Sequence, residues 1–495
     1  MRLGACILAA ILIAVPFHAG GQGFDSSQLP KLGDAGSGAL SAQEQARIGR
    51  SIVGQLREAG ALVEDPEIEN YVRSVGQRLV AHSTRPEEHY EFFVVNDTGI
   101  NAFALPGGYI GINIGLILAS DTEAELAGVM AHEIAHVTQR HIARRIEDAQ
   151  TTGLATLGAI LAAILVGAQT GQGDIAAAGA MSAQALQARR QLSFSRAHEH
   201  EADRIGIRMM ARAGYDPKGM ADFFETLQQR HRHAGDDMVP EYLRTHPLTA
   251  TRLTEARERA REYAIEPRES SRSYYLTRAR LDAKTAGSPL RDLMPMIPSR
   301  MPANEVFMEQ IQRYTDAMQD YFQGRSEQAA EKFAELVEES EDVIAYHRAL
   351  ADALMAQGKT DVALEHYSDA LRLFPGNVAL LEGQARILMD IGQPARAAEV
   401  FAEILNSNDA KPRHFRLRAR AESEAGNTAD SHYYLAHYNF AKGNLLQAMT
   451  QIRMAQTHPS VRMHRTARYN RLAEEIRIAW EQTPPAERQA QRERQ

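Results

Sequence analysis

The chain of 495 residues contains one cysteine, Cys6. That scarcity excludes a disulfide framework, a cysteine-ligated zinc site and a thiol nucleophile together, because Cys6 falls in an N-terminal stretch expected to be removed. An excess of basic charge is also missing. Lys+Arg total 55 against 63 for Asp+Glu, a net charge of −8, so no nucleic-acid partner is expected and no general attraction to an anionic membrane. Long aliphatic runs are scarce too. Residues 151–169 carry no charge, but they are dominated by Ala, Gly and Thr, and this composition suits a helical lid or a membrane-leaning segment better than a span. What remains is a balanced composition, 44% hydrophobic and 24% charged, as in a folded protein of more than one domain.

Residues 1–21 read as a cleavable signal peptide: Arg2 supplies the positive start, residues 7–15 a short apolar run, and residues 19–21 the small side chains that cleavage needs. Leu3-Gly4-Ala5-Cys6 has the look of a lipidation site but precedes the apolar run, so lipidation is discounted. A bacterial periplasm is the expected address. Residues 22–40, rich in Gly, Ser, Asp and Gln, are expected as a disordered leader, and order begins near Ser41, which makes a capping box with Glu44. Ile48, Ile52 and Leu56 then recur at helical spacing, and a second helix follows Asp65-Pro66 through Val72, Val75 and Leu79. The period shortens afterwards. Residues 91–95 and 109–113 are β-rich runs separated by turn residues, which suggests a small sheet and an α+β domain over 41–265.

The C-terminal third repeats itself. Gly324, Gly358, Gly392 and Gly426 stand 34 residues apart, with Ala329, Ala363 and Ala397 and then Phe333, Tyr367 and Phe401 in phase after the first three. This is the tetratricopeptide register, in which glycine turns join paired helices, a small residue lets them cross closely and an aromatic fills the gap. An α-solenoid is expected over 305–480, less regular after Gly426 because Gly443 follows only 17 residues on, with a charged tail at 481–495. Residues 266–304 hold Pro267, Pro289, Pro295, Pro298 and Pro302 and are expected as an interdomain linker.

The sharpest local pattern is His132-Glu133-Ile134-Ala135-His136, inside residues 121–148, where Gly128 is the one helix breaker and Ser120 with Glu123 offers a capping box. On a helix of about 100° per residue, His132 and His136 lie about 40° apart, so both imidazoles reach one ion while Glu133 projects beside them. The chemistry is zinc chemistry. The metal acidifies water and polarises the scissile carbonyl, and the carboxylate takes the proton and passes it to the leaving amine. The flanks Leu126, Val129, Met130, Ile134 and Val137 are apolar, and unpaired polar groups buried among them would be costly.

A catalytic zinc wants a third protein ligand and an open position. His141, nine residues after His132, would stand about 180° around a continuous helix and is expected at the surface. Glu199 is the better choice. It shares a helical face with Asp203, so Glu199 can bind the ion while Asp203 accepts the remaining N–H of a ligand imidazole. Glu201 points about 200° away and is expected to be solvated.

At this point the chain resembles a known family. Residues 101–110 (Asn-Ala-Phe-Ala-Leu-Pro-Gly-Gly-Tyr-Ile), the His132 to His136 pattern, Glu199 with Asp203, and His246-Pro247 followed by Arg252 look like the metallopeptidase family that includes the CAAX prenyl proteases. The resemblance implies a mainly helical gluzincin-type zinc peptidase domain with His132, His136 and Glu199 on one Zn2+, Glu133 as base and Asp203 as supporting acid. It also places His246 near the metal, either as a fourth ligand that shuts the site or as a donor to the transition-state oxyanion, with Arg252 supporting the same oxyanion. With a signal peptide and repeats, it implies a periplasmic metalloendopeptidase and assembly factor. Its partners would be unfolded or misassembled outer-membrane proteins and, through the repeats, the outer-membrane β-barrel assembly machinery. The competing expectation is a repeat chaperone or scaffold with little proteolysis.

Overall fold

The computed structural model describes residues 41–142, 196–234, 240–285, 305–459, 461, 463–483 and 485–493. The expected signal peptide and leader, the uncharged run at 151–169 and residues 286–304 lie outside them. Helix α1, Ala42–Glu58, starts at Ser41 with the reciprocal Ser41/Glu44 capping box, and α2, Pro66–Val80, starts at Asp65, whose side chain accepts from the Glu67 N–H. Strands β1, Glu91–Val95, β2, Ala102–Leu105, and β3, Tyr109–Asn113, form one sheet in the order β1-β3-β2, with β1 parallel and β2 antiparallel to β3. β2 was not expected: its Ala-Phe-Ala-Leu run has little β-propensity of its own, and pairing with β3 makes it a strand.

Alternation along β1 and β3 divides the core. Phe93, Val95 and Tyr109 pack against Ile48, Ile52 and Leu56 of α1, whereas Phe92, Val94, Ile110 and Ile112 join the main core on the opposite face. That core holds α2, α3 (Ile114–Ala119), α4 (Glu123–Thr138), α5 (Arg196–Arg212) and α6 (Gly219–Ala234). Short α7, Glu241–Thr245, and α8, Ala250–Arg261, close the peptidase end. The cap of α4 is Thr122, accepting from the Glu125 N–H, in place of the expected Ser120, whose hydroxyl instead donates to the Leu116 carbonyl.

The expected linker carries a helix. Between Pro267 and Pro289 runs a proline-free stretch, and α9, Arg272–Thr285, buries Tyr274, Tyr275 and Leu281 in the peptidase core and Leu276, Ala279 and Ala283 in the first core of the solenoid. Paired helices follow: α10 (Glu305–Phe322) with α11 (Ser326–Glu339), α12 (Ile344–Ala356) with α13 (Thr360–Leu373), α14 (Val378–Asp390) with α15 (Pro394–Leu405), and α16 (Pro412–Glu424) with α17 (Thr428–Ala441). Gly324, Gly358, Gly392 and Gly426 turn these pairs with φ of 81°, 74°, 71° and 80°, a region costly for any residue with a Cβ. Ala329, Ala363 and Ala397, with Phe333, Tyr367 and Phe401, are buried where the helices cross. The array ends in α18 (Leu445–Thr457), α19 (Met463–Gln482) and α20 (Pro485–Glu493), so part of the expected tail is helical, and Gln491 donates to the Gly443 carbonyl at 3.1 Å.

The solenoid grips the acidic start of α2. Asp65 accepts from Arg280 of α9 at 2.8 Å and from Arg348 of α12 at 2.7 Å, while Glu69 accepts from Arg413 of α16 at 2.6 Å and pairs with Lys411 at 2.7 Å. Arg73 of α2 pairs with Asp409 at 2.7 Å, and Lys442 contacts Glu58. Burial works against the Asp65 carboxylate, but Arg280 and Arg348 hold its pKa well below the usual range. A group depressed on folding stabilises above its unfolded pKa of about 3.9, and that contribution disappears as pH falls towards the folded value.

Since α9 belongs to two cores, we expect one cooperative unfolding transition for the whole chain instead of separate peptidase and solenoid transitions. Asp65→Asn keeps an oxygen for the cap but leaves Arg280 and Arg348 short of a counter-charge, and should cost roughly 3–5 kcal/mol in urea denaturation at neutral pH. Two transitions in the wild type, or an unchanged midpoint in the variant, would contradict this coupling.

Candidate active site

The site forms where α5 lies against α4. A Cβ on Gly206 of α5 would stand 3.3 Å from both the Ala131 carbonyl carbon and the His132 nitrogen and 2.8 Å from the Met220 Cε, so only glycine permits this approach without displacement. The crossing brings Glu199 and Asp203 to the motif on α4. His132 Nδ1 stands 2.9 Å from Asp203 Oδ1, and its Nε2 is 3.4 Å from Glu199 Oε2. His136 Nε2 is 3.5 Å from Glu199 Oε1 and 2.9 Å from His132 Nε2. His246, the residue that ends α7, adds Nδ1 at 3.1 Å from Glu199 Oε1, and its ring stacks on Tyr242. One donor atom from each of His132, His136, Glu199 and His246 lies within 4.8 Å of all the others, and all four residues are buried.

The environments of the three acids differ. Burial raises Glu133, with His246 and His132 opposing it, and the Ala104 main chain of β2 lies beside it. Its nearest ion-pair contact is His246 Nε2 at 3.4 Å, and no side chain among the described residues hydrogen-bonds either of its carboxylate oxygens. Burial would raise Glu199 too, but His246, His132 and His136 keep it well below the usual range; Arg252 likewise outweighs burial at Asp203. His132 is pressed down by burial and lifted more strongly by Asp203 and Glu199, to about 9, whereas burial takes His136 well below its ordinary value. Carboxyl groups whose environments push their pKa values apart are suited to different tasks.

Arg252 lies against the acids. It donates to Asp203 through Nε at 2.7 Å and Nη2 at 2.8 Å, to the Pro247 carbonyl at 3.0 Å, and pairs with Glu199 at 2.7 Å. The guanidinium therefore backs the two acids, and Phe224 covers its face. Two expectations from helical angle also change. His141 is fully buried, with Nδ1 2.9 Å from His136 Nδ1, and its Nε2 is 3.2 Å from Glu201 Oε2. The 180° placement assumed a continuous helix, but α4 stops at Thr138 and Arg140 has φ 55°, which turns the chain back. Tyr242 was not singled out from sequence; its position four residues before His246 is the only clue to the stacking.

The donor set fits a metal cation. In its neutral form His132 carries its proton on Nδ1, which faces a carboxylate, and offers Nε2 as a lone pair; with Glu201 accepting from His141 Nε2–H, the same logic gives neutral His136 a lone pair on Nε2. With the His132 pKa lifted to about 9, a second proton on its Nε2 bridges the 2.9 Å to His136 near neutral pH, and a metal cation among these donors would take that proton's place. A model of peptidase family M48 matches residues 66–260, and tetratricopeptide-repeat models match 314–378 and 348–415. The beta-barrel assembly-enhancing protease of Escherichia coli (strain K12) is 31% identical over 485 residues, 98% of each chain. The chain belongs to peptidase family M48. That of Yersinia pestis is 29% identical over 477 residues, 96% of this chain and 97% of its own. The mitochondrial metalloendopeptidase OMA1 of Arabidopsis thaliana is 39% identical over 158 residues, 32% of this chain and 29% of its own, so that likeness covers only a part of each. As an M48 peptidase the protein is a metallopeptidase with a repeat solenoid, and the family implies a metal that this cluster suits.

Removing the Arg252 guanidinium leaves two buried carboxylates without their counter-charge. We expect Arg252→Met to lower the stability of the metal-free protein by roughly 3–5 kcal/mol, read from urea midpoints in chelator, with Arg252→Lys recovering part of the loss. An unchanged midpoint in Arg252→Met would remove it from this role.

Proposed function

We propose that the protein is a periplasmic zinc endopeptidase that acts on outer-membrane β-barrel proteins during their assembly and degrades misassembled forms. The observation that carries the reading is the convergence of His132, His136 and Glu199, with Glu133 alongside, in a chain similar over nearly its whole length to beta-barrel assembly-enhancing proteases. Zinc, when bound, supplies the Lewis acidity that makes water more acidic and a carbonyl more electrophilic. Glu133 accepts the proton of the attacking water as its oxygen bonds to the carbonyl carbon, then delivers it to the amide nitrogen as the C–N bond breaks. A buried carboxylate that no side chain among the described residues ties down by a hydrogen bond suits both transfers.

Substrate access follows from the sheet. β2 is an edge strand and its Ala104 main chain lies beside Glu133, so an extended, unfolded segment that adds to β2 is held across the carboxylate. Segments already committed to a folded barrel have no free strand to offer, which biases cleavage towards unassembled clients. Partners in the β-barrel assembly machinery are assigned to the solenoid surface that α2 does not cover. Export by residues 1–21 and membrane contact near residues 151–188 belong to the same proposal and concern residues outside those described.

Glu133→Gln should keep zinc and fold yet abolish cleavage of casein or a denatured outer-membrane protein, because the near-isosteric amide cannot accept the proton. Substantial turnover by a zinc-replete variant would take Glu133 out of the role of base. His246 is proposed to restrain the resting site as a fourth donor, so His246→Ala should raise basal cleavage; a fall of roughly 10²–10³ would instead identify an oxyanion donor.

A further inference from the structure

We infer that Glu201 and His141 form a relay that positions His136 for metal binding, the counterpart on its side of the Asp203 support behind His132. The inference rests on the metallopeptidase reading and extends it to two residues outside the ligand set. A metal-binding imidazole must present one nitrogen as a lone pair, and the partner of its other nitrogen decides which one. For His132 that partner is Asp203, gripped by Arg252. For His136 it is a second histidine.

The local chain path makes this contact. Beyond Thr138 the backbone enters the left-handed region at Arg140, and His141 folds back so that its Nδ1 lies 2.9 Å from His136 Nδ1. The His141 ring is fully buried and stacks on His198, with centroids 4.3 Å apart and planes 19° from parallel. Its Nε2 meets Glu201 Oε2 at 3.2 Å. With a cation among the donors to take up the His136 Nε2 lone pair, the protons along this line fall in one order with both rings neutral: Glu201 accepts from His141 Nε2–H, His141 Nδ1 accepts from His136 Nδ1–H, and His136 Nε2 is left facing the site. Reversing it would set a lone pair of His141 against the Glu201 carboxylate.

α5 thus supplies three acids to one site at three depths. Glu199 stands among the donors, Asp203 behind His132, and Glu201 two bonds further back behind His136, with about a third of its side chain exposed. The supports are unequal. Asp203 is a carboxylate in direct contact, whereas His136 leans on a neutral imidazole that transmits the Glu201 charge at one remove, so His136 is the less firmly held ligand and the one most sensitive to changes behind it.

The test compares zinc binding by full-length wild type, His141→Phe, His141→Asn and Glu201→Gln, by competition with a chromophoric chelator, together with the visible spectrum of each protein loaded with Co2+. His141→Phe preserves the ring volume and the stack but removes the acceptor, and should weaken zinc binding by roughly 10–100-fold and shift the cobalt bands. His141→Asn, which retains an acceptor near the Nδ1 position, should recover part of the affinity, and Glu201→Gln should fall between it and wild type. If His141→Phe does not fold, as judged by thermal unfolding of the metal-free protein, the partly exposed Glu201→Gln carries the decision through its affinity and cobalt spectrum. A wild type that binds zinc beside variants that bind it equally well with identical spectra would overturn the relay alone. A wild type that takes up no zinc would overturn the metal reading and the relay with it.

Discussion

The close crossing of α5 over α4 is the constraint on which the site depends. A Cβ at Gly206 would stand 3.3 Å from the α4 backbone at His132, close enough that the helices would have to give by a few tenths of an ångström beside the 2.9 Å contact of His132 with Asp203. A methyl group there would act on the ligands through geometry and not through chemistry. Gly128 does the same for α6, whose Met220 backbone lies 2.9 Å from the place a Cβ would occupy. Small residues at helix crossings are usually discussed as packing; here the one at the α4–α5 crossing also bears on how closely the donors of the two helices approach.

Charge explains why the cluster is assembled as it is. Glu133, Glu199 and Asp203 are buried together with one guanidinium, that of Arg252, so with every acid ionised and the histidines neutral the site would carry an excess of negative charge in an apolar setting. Such an excess is costly unless a cation or protons balance it. The same physics operates between the two halves of the molecule, where Asp65 and Glu69 at the start of α2 meet Arg280, Arg348, Lys411 and Arg413. A solenoid face that might have been free for partners is thus partly occupied by the peptidase domain. The position of the repeats relative to the site is fixed by buried ion pairs and by α9, which contributes to both cores.

Periodicity made much of this legible before any coordinates. The 34-residue spacing from Gly324 to Gly426 named the solenoid, and the spacings of His132 with His136 and of Glu199 with Asp203 singled out side chains that the fold brings into one cluster. What escaped was whatever depended on contacts between distant segments or on where an element stops. β2 is a strand because β3 pairs with it. His141 was put at the surface because a helix was extended past Thr138, and one left-handed residue, Arg140, invalidated the angle. The helix at Arg272–Thr285 was hidden by the prolines on either side of it, and the contacts of Arg252 with Asp203 and Glu199 escaped because its reach across α5 depends on packing.

The central claim is that two histidines of α4 and Glu199 of α5 hold one zinc ion. Zinc K-edge absorption on the purified full chain, combined with metal analysis, measures it directly. The account predicts one zinc per chain in a shell of nitrogen and oxygen donors at about 2.0–2.2 Å with multiple scattering from two or three imidazoles. A chain that purifies without zinc and does not take it up, or a bound zinc with no imidazole in its shell, would contradict it.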